Sequence, residues 1–275
     1  MRNVILLNGA WHGSWCWTPI TTRLAAQGIP SVAVDLEGHG LLARSPEARW
    51  QRPFDPAALA TEPSPLASVT ASSAADVLIE QIRTIGGGEP CVVVAHSMGG
   101  VVATAAAERA PELFDHLMYI SAVAPVSGRP AASYFALPQN AASRMAPIFA
   151  ADPSVVGALR VDGGDPGVHP YLRDAFYNGI DPATADAAIA LLTTDFPMGI
   201  AAETLPMTSS RYGVVPHSYV LCEQDQCIPP DLQRLLIGEI DAASGAPTKV
   251  FELDAPHSPF LSHPDELTGI IASAW

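Results

Sequence analysis

Short apolar runs recur along the first 124 residues and again after residue 212. Six of these runs have the length and composition of β-strands: 4–8, 31–35, 91–95, 116–122, 217–225 and 249–254. Stretches with helical periodicity separate them at 18–27, 71–85, 98–109 and 230–240, and a last one ends at Ala274. Strands that alternate with helices predict an α/β fold, with a mostly parallel sheet of about six strands flanked by helices on both faces.

Two segments interrupt this alternation. Residues 44–70 are rich in Pro, Ala and Ser without a clear period, which predicts a long surface loop with space for one short helix. From 125 to 212 the apolar runs cease, and short helical pieces are separated by Pro and Gly. We therefore expect an α/β core formed by residues 1–124 and 213–275, into which residues 125–212 are inserted as a helical lid.

Candidate chemical groups follow four of the predicted strands. They are the turn 8–10 after the first strand, Ser97 after the third, Asp225 at the end of the fifth and His257 after the sixth. In an open α/β sheet, ligands bind beyond the carboxyl ends of the strands. The shared location of these groups predicts one site at that edge.

Ser97 lies in the segment VVVAHSMGG, where a buried strand meets a helix. A sharp turn of this kind holds a serine with its hydroxyl exposed, and it requires small residues two positions before and after. Ala95 and Gly99 meet that requirement. The positive end of the following helix also favours negative charge nearby. A nucleophilic serine is the favoured interpretation, and an ordinary helix N-cap is the alternative.

His257 and Asp225 are the predicted partners of Ser97. A serine hydroxyl needs a base with a pKa near the working pH, and His257 follows the last core strand. Asp225 would orient that imidazole, with Glu223 and Asp254 as competing carboxylates. The competing histidines are less well placed: His12, His39, His96, His116, His169, His217 and His263.

The turn after the first strand, NGAWHGSWCW, is a candidate oxyanion hole. Acyl transfer needs backbone N–H groups directed at the developing negative oxygen. The amides of Ala10 and Met98 are in position to supply them. Trp11 packs against the first helix or lines the substrate pocket.

The net charge of the chain restricts the classes of molecule that it is expected to bind. A formal net charge of −14 argues against nucleic acid and against anionic membrane surfaces. No apolar stretch reaches the roughly 18–20 residues that a membrane-spanning helix needs. The apolar run near the N-terminus is too short for a secretory signal, so we expect a cytoplasmic location. The oligomeric state stays open, a homodimer included.

The four cysteines, Cys16, Cys91, Cys222 and Cys227, form no CxxC pair and show no zinc-type spacing with histidine. We expect reduced structural thiols, and a disulfide between Cys222 and Cys227 stays open. No metal ion or organic cofactor is expected.

The chain resembles the α/β-hydrolase superfamily over essentially its full length, and it is similar to the plant-type methylesterase and hydroxynitrile lyase group with its bacterial relatives. The segments that carry the resemblance are LLNGAWHGSWCW, VAVDLEGHG, VVVAHSMGG, YVLCEQDQCIPPDLQ and HSPFLSHPDEL. The resemblance implies a triad of Ser97, Asp225 and His257, an oxyanion hole from the Ala10 and Met98 amides, and a helical lid.

Three positions depart from that group. Asn8 and Gly9 replace the usual His-Gly pair, so an amide side chain takes over any role in orienting the turn. Hydroxynitrile lyases of the group carry threonine in place of Gly9 and lysine after the catalytic histidine, where this chain has Ser258. The charge that would stabilise cyanide is missing, which disfavours lyase activity.

The sequence therefore predicts a serine hydrolase that cleaves a small or medium, largely apolar carboxylic ester through an acyl-enzyme. Two alternatives stay open: a non-hydrolytic biosynthetic reaction at the same site, such as cyclisation, C–C cleavage or acyl transfer, and non-catalytic binding of a small ligand. Epoxide hydrolase and dehalogenase chemistry are disfavoured because both need a carboxylate at position 97.

Overall fold

A six-stranded sheet, in which every pair of neighbouring strands is parallel, forms the centre of the fold. The computed structural model describes residues 2–275. In chain order the strands are β1 (Val4–Leu7), β2 (Ser31–Val34), β3 (Cys91–His96), β4 (Phe114–Ile120), β5 (Ala158–Arg160), β6 (Asp195–Pro197), β7 (His217–Cys222) and β8 (Lys249–Leu253). The order β2-β1-β3-β4-β7-β8 confirms the predicted α/β fold.

Helices cover both faces of this sheet. The α-helices of residues 2–275 are α1 (Thr18–Ala26), α2 (Pro56–Thr61), α3 (Ala71–Gly86), α4 (Gly99–Arg109), α5 (Pro153–Val156), α6 (His169–Phe176), α7 (Pro182–Ala190), α8 (Met198–Ala202), α9 (Pro230–Ala243), α10 (Pro259–Ser262) and α11 (Pro264–Ala272). Within residues 2–275, none of them combines the length and the apolar character that crossing a bilayer requires.

Alternate residues of β3 pack against opposite layers. Val92 and Val94 join a cluster with residues of α1 and α11, whereas Val93 and Ala95 join one with residues of α3 and α4. Burial on both faces is typical of parallel sheets, and it explains why this strand is an uninterrupted apolar run.

Two core strands end more than one residue earlier than the apolar pattern indicates. β4 ends at Ile120, and Ser121 leaves it with a φ of 43°, in the left-handed region. The prediction that this strand extends to residue 122 is therefore wrong. β7 ends at Cys222, so Asp225 lies in the turn that follows the strand.

Residues 125–212, which the sequence predicts as an inserted helical lid, contain more than helices. Residues of β5 and β6 pair as a two-stranded antiparallel sheet, which we did not expect from the sequence. Strands of three residues are too short to show an alternating pattern. In the loop 44–70, α2 is the short helix for which the sequence leaves space, and the Asp55 side chain caps it by accepting from the Ala57 N–H.

A buried ion pair joins the small sheet to that loop. The Arg160 guanidinium donates from Nε and Nη2 to the two carboxylate oxygens of Asp195, at 2.7 and 2.8 Å, and both side chains are fully buried. Its Nη1 donates to the backbone oxygens of Leu59 and Glu62. One guanidinium therefore holds three segments together.

We expect Asp195→Asn to lower the free energy of unfolding by about 3–5 kcal/mol, because it leaves the Arg160 charge buried without its partner. The matched control is Asp186→Asn, which breaks the exposed Arg173–Asp186 pair of the same insertion. That control should cost less than about 1 kcal/mol. Urea unfolding of the three proteins measures both values, and equal losses would contradict a special role for the buried pair.

Candidate active site

The ends of three core strands bring Ser97, His257 and Asp225 into one hydrogen-bonded chain. The Ser97 hydroxyl lies 3.1 Å from Nε2 of His257, and Nδ1 of His257 lies 2.8 Å from Oδ2 of Asp225. A carboxylate oxygen accepts from the ring, so in the neutral imidazole Nδ1 carries the proton and the lone pair of Nε2 faces the hydroxyl. All three side chains are buried.

Ser97 occupies a tight turn between β3 and α4. Its φ of 52° lies in the left-handed region, where a non-glycine residue is strained. The turn packs so closely on its surroundings that a Cβ at Gly99 would lie 2.4 Å from the Asn8 backbone oxygen, and one at Gly100 would lie 2.6 Å from that of Val123. This close approach is the physical reason for the glycines after the serine.

Five donors surround the Asp225 carboxylate. Oδ1 accepts from the backbone N–H groups of Cys227 and Ile228 at 2.7 and 2.8 Å. Oδ2 accepts from His257, from the Ser121 hydroxyl and, at 3.4 Å, from the side-chain amide of Gln233. These contacts fix the carboxylate so that it faces the imidazole.

Ser121 is the member of this group that the sequence analysis missed. Its hydroxyl donates to Asp225 and lies 3.4 Å from Nδ1 of His257. The available signal was its place after a core strand, but apolar neighbours made it look like part of that strand. The competing carboxylates lie elsewhere: Asp254 accepts from the side chain of Gln224, and Glu223 lies near Arg234.

Three buried imidazoles meet at the site. Burial of the ring lowers the pKa of His257, but the interactions with Asp225 and Cys227 together outweigh burial and raise that pKa to about 10. Burial lowers the pKa of His12 to about 3 and that of His96 well below 6.5. His96 is therefore neutral, and its Nε2 donates to the backbone oxygen of His257 at 2.7 Å, which holds the loop of that residue.

Asn8 holds the turn after β1. Its side-chain N–H donates to the backbone oxygens of Gly9 and His12 at 2.8 and 2.6 Å, and its Oδ1 accepts from the Leu36 N–H. In a trans peptide the carbonyl and the next N–H point in opposite directions. Holding the Gly9 carbonyl therefore directs the Ala10 N–H away from Asn8. The hydrogen bonds of this amide side chain therefore orient the turn.

The amides of Ala10 and Met98 have no hydrogen-bond acceptor among residues 2–275. Both residues line the same cavity as Ser97. Two unpaired backbone N–H groups beside a serine hydroxyl form an arrangement that can bind a negatively charged oxygen.

This geometry agrees with the comparison with protein families. A model of the Alpha/beta hydrolase family matches residues 4–269. The chain belongs to the α/β-hydrolase family. It is 27% identical over 277 residues to Methylesterase 7 of Arabidopsis thaliana, covering 98% of this chain and 95% of that protein. It is also 24% identical over 281 residues to Norfluorocurarine synthase 1 of Strychnos sp, covering 97% and 92% of the two chains.

Solved structures show the same fold. A pyrethroid hydrolase from Sphingobium faniae JZ-2 matches this α/β-hydrolase with a TM-score of 0.74 at 20% identity, over 99% of this chain and 96% of the other. The methylesterase MES16 from Arabidopsis matches with a TM-score of 0.72 at 20% identity, over 100% and 98%. The resemblance inferred from the sequence motifs is confirmed.

The cavity above Ser97 has a volume of about 340 Å³. The core residues that line it with the serine include Ala10, Met98, Cys227 and Ile228. The inserted segment supplies further lining residues: Phe135, Asn140, Ser143, Met145, Ala146, Phe149 and Leu159. The lining of this α/β-hydrolase site is thus largely apolar.

Trp11, for which the sequence left open packing against the first helix or lining of the substrate pocket, lies in the wall of this cavity. Its ring packs against Phe149, Phe176 and Phe196 at centroid distances of 6.3, 5.7 and 6.1 Å. The Trp11 ring therefore both packs against these aromatic rings and forms part of the cavity surface.

All four cysteines are free and buried, so Cys222 and Cys227 are not bridged. Across residues 2–275, no three His, Cys, Asp or Glu side chains are grouped so that they could hold a metal ion.

We expect Gly99→Ala to destabilise the protein by about 1–3 kcal/mol, because its methyl group would overlap the Asn8 carbonyl. Alanine normally stabilises a helix relative to glycine, so a loss of stability here would show that the overlap with Asn8 outweighs that preference. In the control Gly238→Ala, on α9, the new Cβ meets nothing within 4 Å, and stability should be kept or raised. Thermal unfolding compares the two, and a stabilised Gly99→Ala would contradict the close approach.

Proposed function

We propose that this chain is a serine hydrolase that cleaves a small or medium, largely apolar carboxylic ester through an acyl-enzyme. The observation that carries the proposal is the continuous hydrogen-bonded chain from Ser97 through His257 to Asp225, beside two unpaired backbone amides. The relatives named methylesterases support ester cleavage.

The reaction begins when His257 Nε2 takes the proton of the Ser97 hydroxyl as its oxygen bonds to the ester carbonyl carbon. The carbonyl electron pair moves onto the oxygen, which the Ala10 and Met98 amides stabilise. Collapse of this intermediate breaks the bond to the alkoxy oxygen, and that oxygen receives the proton from His257. The acyl group is then bound to Ser97, and the alcohol leaves.

Water then enters in place of the alcohol, and the same steps are repeated with water as the nucleophile. His257 accepts a proton from water as its oxygen attacks the acyl carbon, and then returns it to Ser97 when the carboxylic acid departs. Asp225 stabilises the positive charge of the ring during both steps. No step requires a cofactor.

The cavity supports an apolar substrate of limited size. A volume of about 340 Å³ is at the lower end of ligand pockets, which span roughly 300–1,000 Å³. Its aromatic and aliphatic walls favour burial of a hydrocarbon or aromatic group. Asn140 and Ser143 are the polar side chains that the inserted segment adds to the wall.

We expect Ser97→Ala to lower kcat for short p-nitrophenyl esters by a factor on the order of 10⁶ and to abolish labelling by a fluorophosphonate probe, because no oxygen is left to form the covalent intermediate. Ser143→Ala removes another serine of the same cavity and should retain labelling. Undiminished turnover or labelling of Ser97→Ala would disprove the proposal.

The pH dependence of kcat/KM reports the ionisation of His257 in the free enzyme. A base must be unprotonated, so the rate should rise with pH, and its midpoint should lie above 6.5 because Asp225 raises the pKa of the ring. Asp225→Asn should shift the midpoint downward and lower kcat by about 10⁴-fold. Identical midpoints for the two proteins would show that this carboxylate does not control the base.

A non-hydrolytic reaction at the same site is the second candidate, since one relative is named a synthase. Mass analysis of products with and without Ser97 distinguishes the two: hydrolysis incorporates one oxygen from labelled water into the acid, whereas cyclisation or transfer to another acceptor does not. A protein that only binds a ligand would not be labelled by the fluorophosphonate.

A further inference from the structure

A buried tyrosine of the inserted segment is connected to the turn after β1 through a histidine that has no part in the proposed reaction. Tyr177 follows the last residue of α6 and is 1% exposed. Its hydroxyl lies 2.9 Å from Nε2 of His12, and Nδ1 of His12 lies 2.8 Å from the Ala10 backbone oxygen. The contact joins residues that are 165 positions apart in the chain.

The direction of each hydrogen bond in this chain is fixed by chemistry. A backbone carbonyl only accepts, so Nδ1 of His12 carries the proton and donates it to Ala10. Nε2 then holds the lone pair, and the Tyr177 hydroxyl must donate to it. Burial lowers the pKa of His12 to about 3, so the ring stays neutral and keeps both contacts through the ordinary pH range.

The hydrogen bond from His12 to the Ala10 carbonyl completes the support of Ala10 on both sides. Asn8 holds the peptide before the Cα of Ala10 through the Gly9 carbonyl, and His12 holds the peptide after it through the Ala10 carbonyl. With both planes held, the direction of the Ala10 N–H is determined. The strained φ of 61° at Trp11, the next residue, shows how sharply the chain turns here.

Further hydrogen bonds tie the same turn to the inserted segment. The backbone oxygen of Trp11 accepts from the Thr193 N–H at 2.9 Å, and the Trp11 indole N–H donates to the Leu159 carbonyl at 2.9 Å. The turn is thus bonded to residues near β5, β6 and α6. The insertion forms part of the support of the turn as well as the cavity wall.

We propose that Tyr177 is a positioning residue that acts through His12 to direct the Ala10 amide at the developing oxyanion. The inference rests on the function proposed above. It makes the alignment of one oxyanion donor depend on how the inserted segment is docked, although Tyr177 itself touches no reacting atom.

Tyr177→Phe removes only the hydroxyl and preserves the packing. For p-nitrophenyl acetate we expect kcat to fall about tenfold or more, within the roughly 10²–10³-fold that loss of a whole oxyanion donor costs, while KM changes little. Tyr171→Phe is the matched control, because Tyr171 lies on α6 and is 47% exposed. It should behave as the unaltered protein does.

A double-mutant cycle tests whether Tyr177 acts through His12. If it does, Tyr177→Phe should have no further effect on kcat in a His12→Asn background, because the acceptor of its hydrogen bond is already gone. Equal effects of Tyr177→Phe in both backgrounds would overturn the inference and leave Tyr177 with a packing role alone.

The Ala10 amide resonance gives a readout that needs no turnover. In ¹H–¹⁵N spectra, Tyr177→Phe should shift this resonance and Tyr171→Phe should not. An unmoved resonance overturns the inference whatever the activity. A shifted resonance in a protein that neither hydrolyses esters nor reacts with a fluorophosphonate supports the positioning role and rejects the proposed hydrolase function instead.

Discussion

The hydrogen bond between Nδ1 of His257 and the Asp225 carboxylate is the interaction on which the candidate site depends. It selects the ring tautomer, sets the ring plane and leaves the Nε2 lone pair facing Ser97. Both groups are buried, so the contact is sheltered from the competition of water. It can form because β7 and β8 are neighbours in the sheet and the segments that follow them meet at the same edge.

The rest of the site is built from equally close contacts between neighbouring strand ends. β1 and β3 are adjacent, and the turns that follow them touch: a Cβ at Gly9 would lie 2.6 Å from the Cβ of Ser97. The serine and the turn after β1 therefore form one packed unit. β4 lies between β3 and β7, and Ser121 at its end fills the space beside Asp225. Each strand of the central four thus supplies one part of the site.

The meeting of Ser97, Asp225 and His257 could be predicted from the sequence because each follows a recognisable apolar run or lies at its end, and parallel strands align their carboxyl ends. The role of Asn8 in the turn followed instead from the resemblance, in which it replaces a histidine. Local patterns carry less information elsewhere. Ser121 has apolar neighbours on both sides, so nothing in the sequence marks the left-handed turn at which β4 ends.

Contacts between distant segments leave no local pattern at all. The three-residue strands β5 and β6 are defined by pairing with each other, and Arg160 meets Asp195 only once they pair. The contact between Tyr177 and His12 likewise depends on how the inserted segment docks on the core. These features required coordinates, because tertiary packing rather than local propensity determines them.

The most direct test of the candidate site around Ser97 is a crystal structure of the protein after reaction with a fluorophosphonate. The phosphorus should be bonded to Oγ of Ser97, with fluoride displaced. Its negatively polarised oxygen should lie about 2.7–3.1 Å from the backbone nitrogens of both Ala10 and Met98. An adduct on another residue, or a phosphoryl oxygen directed away from those two amides, would contradict the assignment of the site.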